Sequence, residues 1–250
     1  MIALARTGAP EGLWLRAERQ TAGRGRQGRA WVSPPGNLYA STIVRLRPSD
    51  PPAATLALVA AVALEEAVSL YYHPGEGRGP GGKVSVTERS ANQLPLLQLG
   101  PGLRRGGLFL KWPNDLLIGG AKLAGILLER AEDAVVIGTG VNLAHHPADI
   151  DRPATSLAAH GVTVEPAPFI DTLAETFARW LARWRGEGLA PIRERWTERA
   201  HPAGAALTAR LPDGSAVDGL FERIDADGAL ILRLADGTRR VIHAGDVFLI

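Results

Sequence analysis

Three short runs hold the residue types that could do chemistry. Gly23-Arg24-Gly25-Arg26-Gln27-Gly28 interleaves glycine with arginine. Glycine lets the backbone fold closely round an anion and aim N–H groups at it. Arg24, Arg26 and Arg29 add planar forks that grip phosphate or carboxylate through two bonds each. The run matches the letter of the dinucleotide fingerprint G-x-G-x-x-G, but the chain continues through Arg29–Pro35 into a strand rather than a helix, so the context that fold needs is missing. No Gly-Lys-Ser/Thr follows, which removes a Walker A loop. A basic loop lying on nucleic acid would suit the same three arginines.

The second run separates these readings. Lys111-Trp112-Pro113-Asn114-Asp115 is followed by Lys122-Leu123-Ala124-Gly125-Ile126-Leu127. Asn114 and Asp115 sit at a proline-forced break, where side chains can face a cleft. A carboxylate beside a nucleotide suggests Mg2+ shared with water and phosphate oxygens, and a lysine at a strand start puts a point charge on a phosphate or a carboxylate. The third run, Gly138-Thr139-Gly140-Val141-Asn142-Leu143, ends an apolar strand in two glycines and an amide that can both donate to and accept from a purine edge. His145–His146 invites a metal reading, but no acid lies at ligand spacing. No Ser/His/Asp triad is evident.

Composition sharpens the weight of these residues. Of 28 basic residues only three are lysines, at 83, 111 and 122. In a chain so biased towards Arg, Ala, Gly and Pro, a retained lysine is stronger evidence than an arginine. The absence of cysteine removes a disulfide framework, a thiolate-held zinc or iron–sulfur cluster and a cysteine nucleophile. Residues 1–47 carry a local charge of +6 against +2 for the whole chain, which suggests a phosphate-bearing ligand or nucleic acid. The first ten residues lack the apolar h-region of a signal peptide. The apolar run from Ala53 to Leu64 is too short to span a bilayer. A cytoplasmic protein is expected, with no membrane partner.

The elements that must position these runs follow from periodicity. Leu13–Ala17 and Leu38–Leu46 read as strands, and Ser49-Asp50-Pro51-Pro52 starts a helix running to about Leu70. Residues 73–107, with nine Gly and four Pro, read as a disordered insertion. Strands resume at Leu108–Leu110, Leu116–Ile118, Leu123–Leu128 and Ala134–Ile137, with Gly119–Gly120 as a turn. Phe169, Leu173, Phe177, Trp180, Leu181 and Trp184 fall at helical spacing, and a further helix covers Pro191–Ala200. Beyond His201–Pro202, Asp-Gly pairs at 213, 227 and 236 punctuate short alternating segments, the grammar of tight hairpins. The expected architecture is therefore α+β: a domain of residues 1–200 followed by a small all-β barrel at 203–250.

In this order and with this content, the runs resemble the signatures of the biotin–protein ligase family. The likeness rests on Ala17-Glu18-Arg19-Gln20-Thr21-Ala22-Gly23-Arg24-Gly25-Arg26-Gln27-Gly28-Arg29 with Trp31, Ser33-Pro34 and Asn37-Leu38-Tyr39, on Lys111–Asp115, on Lys122–Leu127 and on Gly138–Asn142. It covers residues 8–72 and 108–160 closely and the C-terminal segment more loosely.

The resemblance implies a central mixed β-sheet with packed helices, akin to class II aminoacyl-tRNA synthetases, and an SH3-like C-terminal barrel. It implies a two-step ligase. Biotin's carboxylate attacks the α-phosphate of ATP–Mg2+ to give biotinoyl-AMP. A lysine of a biotin carboxyl carrier protein, from acetyl-CoA carboxylase or another biotin-dependent carboxylase, then displaces AMP. No enzyme nucleophile is needed, so catalysis would be positioning and charge stabilisation. By position, Gln20, Arg24, Gly25, Arg26, Lys122, Gly125 and Ile126 would line the biotin site. Arg29, Trp31, Lys111, Asn114 and Asn142 would meet the nucleotide, and Asp115 would hold Mg2+. Arg26, Lys111 and Lys122 carry the catalytic expectation, with Arg26 retaining the adenylate.

The chain departs from the family's pattern in two places. The Ser-Thr-Asn segment usual about twenty residues before the Gln-x-x-Gly-Arg-Gly run has no room here, so the chain is expected to start inside the family's first helix, with Ala3–Ala5 as its last turn. The insertion at 73–107 replaces what is normally a short helix-to-strand link. Some relatives carry a winged helix before the ligase region, and none is expected here, which gives nucleic-acid binding no support. A homodimer through a sheet edge is a further implication of the family. Lipoate–protein ligase, of the same fold, and a non-catalytic biotin or adenylate binder are the alternatives.

Overall fold

The computed structural model describes residues 1–25, 28, 31–72, 107–148 and 153–249. The expected insertion at 73–107 lies, apart from Gly107, outside the described residues.

Six strands form one sheet: β1 (Trp14–Ala17), β2 (Leu38–Arg45), β3 (Leu108–Lys111), β4 (Asp115–Ile118), β5 (Ala121–Ala131) and β6 (Ala134–Val141), in the spatial order β1-β2-β6-β5-β4-β3. The expectation of a mixed sheet is corrected here. Every pairing between these strands is antiparallel, and parallel pairing appears among the described residues in the isolated bridges Leu110–Ala200 and Lys122–Ala154. The reason is connectivity. β3 to β6 follow one another through hairpins, and a short turn can join only antiparallel neighbours. Gly119 and Gly120, at φ 58° and 90°, make the β4–β5 turn in a backbone region that side chains disfavour.

One face of the sheet is covered by helices. α1 (Ile2–Arg6) is a single turn at the chain start, and α2 (Leu56–Ser69), α3 (Pro166–Glu187) and α4 (Ala190–Arg199) form the layer. α2 is apolar nearly all round because it is enclosed between the sheet, α3 and α4. Its fully buried Glu65 is neutralised from α4 by Arg195 at 3.0 Å and Arg199 at 3.5 Å. α3 is amphipathic, and the six residues picked out by spacing are its buried stripe. Leu38, Ala40 and Val44 of β2 and Val135, Ile137 and Val141 of β6 point into this core.

On the opposite face, α1 sets Ala5 against Ile43, Ala131, Ala134 and Val136. The approach to β1 is tied down by Arg185, whose guanidinium bonds Glu11 at 2.6 and 2.8 Å and Asp50 at 3.1 Å.

The C-terminal segment builds a second antiparallel sheet from β7 (Ala206–Arg210), β8 (Ala216–Ile224), β9 (Leu230–Arg233), β10 (Arg239–Ile242) and β11 (Asp246–Leu249), ordered β10-β9-β8-β7-β11. Its three turns use Gly214, Gly228 and Gly237, all near φ 85°. Each is capped by an aspartate accepting a backbone N–H: Asp213 from Ser215, Asp225 from Asp227 and Ala229, and Asp236 from Thr238. The Trp112 indole N–H, at the β3–β4 turn of the first sheet, donates to the Gly228 carbonyl at 3.1 Å, and Phe221 of the second sheet meets the Trp196 ring of α4. Among the described residues, no helix is long and apolar enough to cross a membrane.

Candidate active site

Directly opposed residues in an antiparallel sheet share a face. Following the register across the strands gives one continuous row on the face away from the helices: Ala17, Tyr39, Gly140, Gly125, Asp115, Lys111. The neighbouring row is Leu15, Ser41, Gly138, Leu127. Three glycines therefore make a floor without side chains at the sheet's centre. Asp115 and Lys111 stand at its β4–β3 end.

Lys122 joins that pole through a β-bulge. The β4–β5 register shifts between Leu116 and Leu117, which sets Lys122 opposite Leu117 and re-aims its side chain. Its ammonium donates to Asp115 Oδ1 at 2.5 Å, and Lys111 donates to Oδ2 at 3.2 Å. Asp115 is 6% exposed and Lys111 8% exposed, so this is a buried triad carrying one net positive charge. Burial alone would push the Asp115 carboxyl up. The charges and hydrogen bonds of Lys122 and Lys111 outweigh burial and hold it below the ordinary carboxylate range.

The expected Mg2+ role of Asp115 would require one of these two ion pairs to give way. Both carboxylate oxygens are taken by ammonium groups, whose charge repels a divalent ion. Among the described residues no cluster of three or more His, Asp or Glu could hold a metal ion.

Trp31 covers the glycine floor. A β-carbon built on Gly140 would stand 3.0 Å from the indole, and one on Gly125 would stand 3.6 Å from it and 3.1 Å from Lys122 Nζ. The Lys122 ammonium lies 5.4 Å from the centre of the Trp31 ring, within cation–π range. The indole nitrogen is buried without a hydrogen-bond partner. The loop that carries Trp31 is pinned at its base, where the Trp31 N–H donates to the Gly23 carbonyl at 3.0 Å and Ser33 Oγ donates to Gln20 Oε1 at 3.0 Å.

The remaining expected residues divide clearly. Gln20 and Arg24 are exposed, and Gly25 is half-buried on the same loop. Arg26 and Arg29 lie outside the described residues. Ile126 departs from expectation: strand alternation sends its side chain into the helix-side core, and its backbone is engaged at both ends by Asn114. It supports the site from behind rather than lining it. The Asn114 carboxamide is spent on the Ile126 carbonyl at 2.5 Å. Asn142 donates to the Thr155 carbonyl at 3.0 Å and so clamps segment 153–157 against Lys122, whose backbone bonds Pro153 and Thr155. Both amides are thus braces for the lysine-bearing strands.

Sequence reading missed three contributors. Tyr39 is in the central row and donates to the Pro34 carbonyl at 2.8 Å. Segment 153–157 supports Lys122 from outside its own strand. His201 lies beside Lys111. It is 6% exposed, its ring is 4.9 Å from Phe109, and its Nε2 has no hydrogen-bond partner. Only Tyr39 carried a signal, through its place after Asn37-Leu38. The other two depend on pairings between distant segments.

Burial, and then the Lys111 charge, lower the His201 pKa from 6.5 to about 4. As pH falls, the unfolded imidazole takes a proton first, so this residue withdraws stability from the fold progressively between about pH 6.5 and 4. Thermal melts at the two ends of that window should show a lower Tm at the acid end, and His201→Phe should flatten the slope. An unchanged slope in the variant would refute the buried neutral ring.

A side-chain-free floor ending in paired ammonium groups suits a flat or extended ligand that carries negative charge at one end. Comparison with known proteins makes this specific. Residues 6–142 match the Biotin/lipoate A/B protein ligase family, and residues 206–250 match the Biotin protein ligase C terminal domain. The chain is 38% identical over 246 residues to the biotin–[acetyl-CoA-carboxylase] ligase of Paracoccus denitrificans, covering 94% of this chain and 89% of that one. It is 33% identical to the ligase of the same name from Mycobacterium tuberculosis, covering 99% and 83%. Its fold superposes on the biotin protein ligase of Aquifex aeolicus, solved with biotin and ATP, with a TM-score of 0.78 at 20% identity, covering 99% of this chain and 94% of that one. The chain belongs to the biotin/lipoate protein ligase family.

Proposed function

We infer that this chain is a biotin–protein ligase that activates biotin with ATP and transfers it to a lysine of a carboxylase's carrier domain. The observation that carries this reading is the junction of the glycine floor with the Lys111–Asp115–Lys122 pole, in a chain 38% identical to a ligase of that name.

With the Trp31 indole moved aside, the glycine floor would admit a ligand against the backbone, and the two lysines would hold negative charge at one end. In the first step the biotin carboxylate attacks the α-phosphorus, the α–β phosphoanhydride bond breaks and pyrophosphate leaves. The ammonium of Lys122, held between Asp115 and the Trp31 ring, offsets charge on the α-phosphoryl oxygens, and Lys111 meets the nucleotide's phosphates. In the second step a carrier lysine amine attacks the acyl carbon, loses a proton and displaces AMP. Arg24 and Arg26 would line the biotin and acyl-phosphate site, with Arg26 retaining the adenylate, as the family resemblance implies. A Mg2+ accompanying ATP would take most of its ligands from water and phosphate oxygens, with Asp115 as the carboxylate at hand, and would offset phosphate charge. The catalytic unit is residues 1–200 and the C-terminal sheet unit residues 203–250, in keeping with two separately matching segments.

The first step is read by biotin-dependent exchange of labelled pyrophosphate into ATP. Exchange with biotin and none with lipoate is expected. Exchange with lipoate alone would transfer the assignment to the lipoate branch of the family, and none with either would leave a binding protein.

Gly140→Val should close the floor. Its branched side chain would meet the Trp31 ring at the 3.0 Å contact, an overpacking that costs about 1–3 kcal/mol of stability, and it would stand in the space above the floor, so biotin binding should weaken roughly tenfold or more. Tm should fall as well, because the clash with Trp31 burdens the folded state more than valine's strand preference can offset. Calorimetric titration checks this, and an unchanged Kd would show that substrate does not lie over the floor.

A further inference from the structure

The central row does not end at Lys111. Beyond β3, the last strand of the sheet, the chain between α4 and β7 runs alongside and pairs Ala200 with Leu110 in a parallel bridge. Phe109 and Lys111 flank Leu110 and face the substrate side, and His201 packs its ring edge-on against Phe109 at 4.9 Å. Pro202 follows, and Gly204 is fixed to the second sheet by its N–H to the Phe221 carbonyl. His201 is therefore where the segment leading into the C-terminal sheet touches the substrate face.

We propose that His201 is a positioning residue for Lys111: an uncharged ring, delivered by the linker to the second sheet, that closes the end of the central row and fixes where the Lys111 ammonium stands. The proposal rests on the reading of Lys111 as the lysine that meets ATP. The ammonium is fastened to Asp115 on one side at 3.2 Å. His201 is 6% exposed and sits on the β3 side away from Asp115, where an uncharged ring would restrict the long side chain without adding a repelling cation. Lys122 already supplies a second positive charge on Asp115. A third would leave the single carboxylate overmatched. The C-terminal sheet thereby contributes to nucleotide binding through the placement of a residue it does not itself carry.

The test compares His201→Ala, His201→Phe, His201→Arg and Lys111→Met in the full chain, with KM for ATP and for biotin measured separately and folding checked by circular dichroism. His201→Ala and His201→Arg should each raise KM for ATP about tenfold and leave KM for biotin within twofold. His201→Phe, which restores an uncharged ring, should return KM for ATP to within threefold of the wild type. In the Lys111→Met background, His201→Ala should add less than twofold. Equal rises in both KM values, failure of phenylalanine to rescue, or a full His201→Ala effect without Lys111 would each overturn the proposal. If Lys111→Met alone leaves KM for ATP unchanged, the nucleotide role of Lys111 falls and the proposal with it. If Lys111→Met raises it and His201→Ala does not, the proposal falls alone.

Discussion

Asp115→Ala should lower the free energy of unfolding by about 3–5 kcal/mol, the cost of leaving buried charges without their partner. In the wild type its two oxygens are the counter-charge for Lys111 at 3.2 Å and Lys122 at 2.5 Å, and Asp115 and Lys111 are almost entirely out of water. Removing the carboxylate strands two ammonium groups that were held by one anion. Since a domain's whole stability is commonly about 5–15 kcal/mol, the loss is a large fraction of it. Urea denaturation followed by circular dichroism measures this, and the midpoint should move sharply to lower urea. Asp115→Ala combined with Lys111→Met removes one of the stranded charges and should recover part of the loss. A wild-type midpoint in the single variant would mean that the triad is not a cohesive unit.

Lys122→Ala should cut turnover by roughly 10–100-fold, the loss of an ion-assisted hydrogen bond worth about 1.5–3 kcal/mol. The stability effect should be smaller than for Asp115, because Lys122 is the more exposed member of the triad and its removal leaves one lysine paired with one aspartate. Arginine should not rescue it. The space in front of Lys122 is the contact with Gly125, where a β-carbon would already stand 3.1 Å from the ammonium, and a planar guanidinium is wider than a compact ammonium. Steady-state kinetics on biotin and ATP check both variants. Turnover at the wild-type rate in Lys122→Ala would remove it from the chemistry, and full activity in Lys122→Arg would mean that charge alone matters there.

Much of the fold was legible in the sequence because it rests on local rules. The stripe from Phe169 to Trp184 is read at helical spacing and lies buried on α3. Three Asp-Gly pairs read as hairpin turns are hairpin turns, with Gly214, Gly228 and Gly237 at positive φ. The candidate site was legible as residue types, since Lys111, Asp115, Lys122, Gly125 and Gly140 all meet on one face. Their roles were less so. Asp115 reads as a metal ligand when only its own neighbours are considered, and becomes a counter-ion once a bulge brings Lys122 onto it. Ile126 reads as lining because it follows Gly125, and strand alternation turns it to the opposite face. His201 gave no signal, because its place beside Lys111 depends on pairing Ala200 with a strand some ninety positions earlier.

The most direct test of the account is mass spectrometry of an apo biotin carboxyl carrier domain incubated with this chain, ATP, Mg2+ and biotin. The account predicts one biotin-sized addition per carrier, on a lysine, dependent on ATP and lost when that lysine is replaced. An unmodified carrier under conditions where a known ligase labels it fully, or a lipoyl addition when lipoate is supplied in place of biotin, would contradict it.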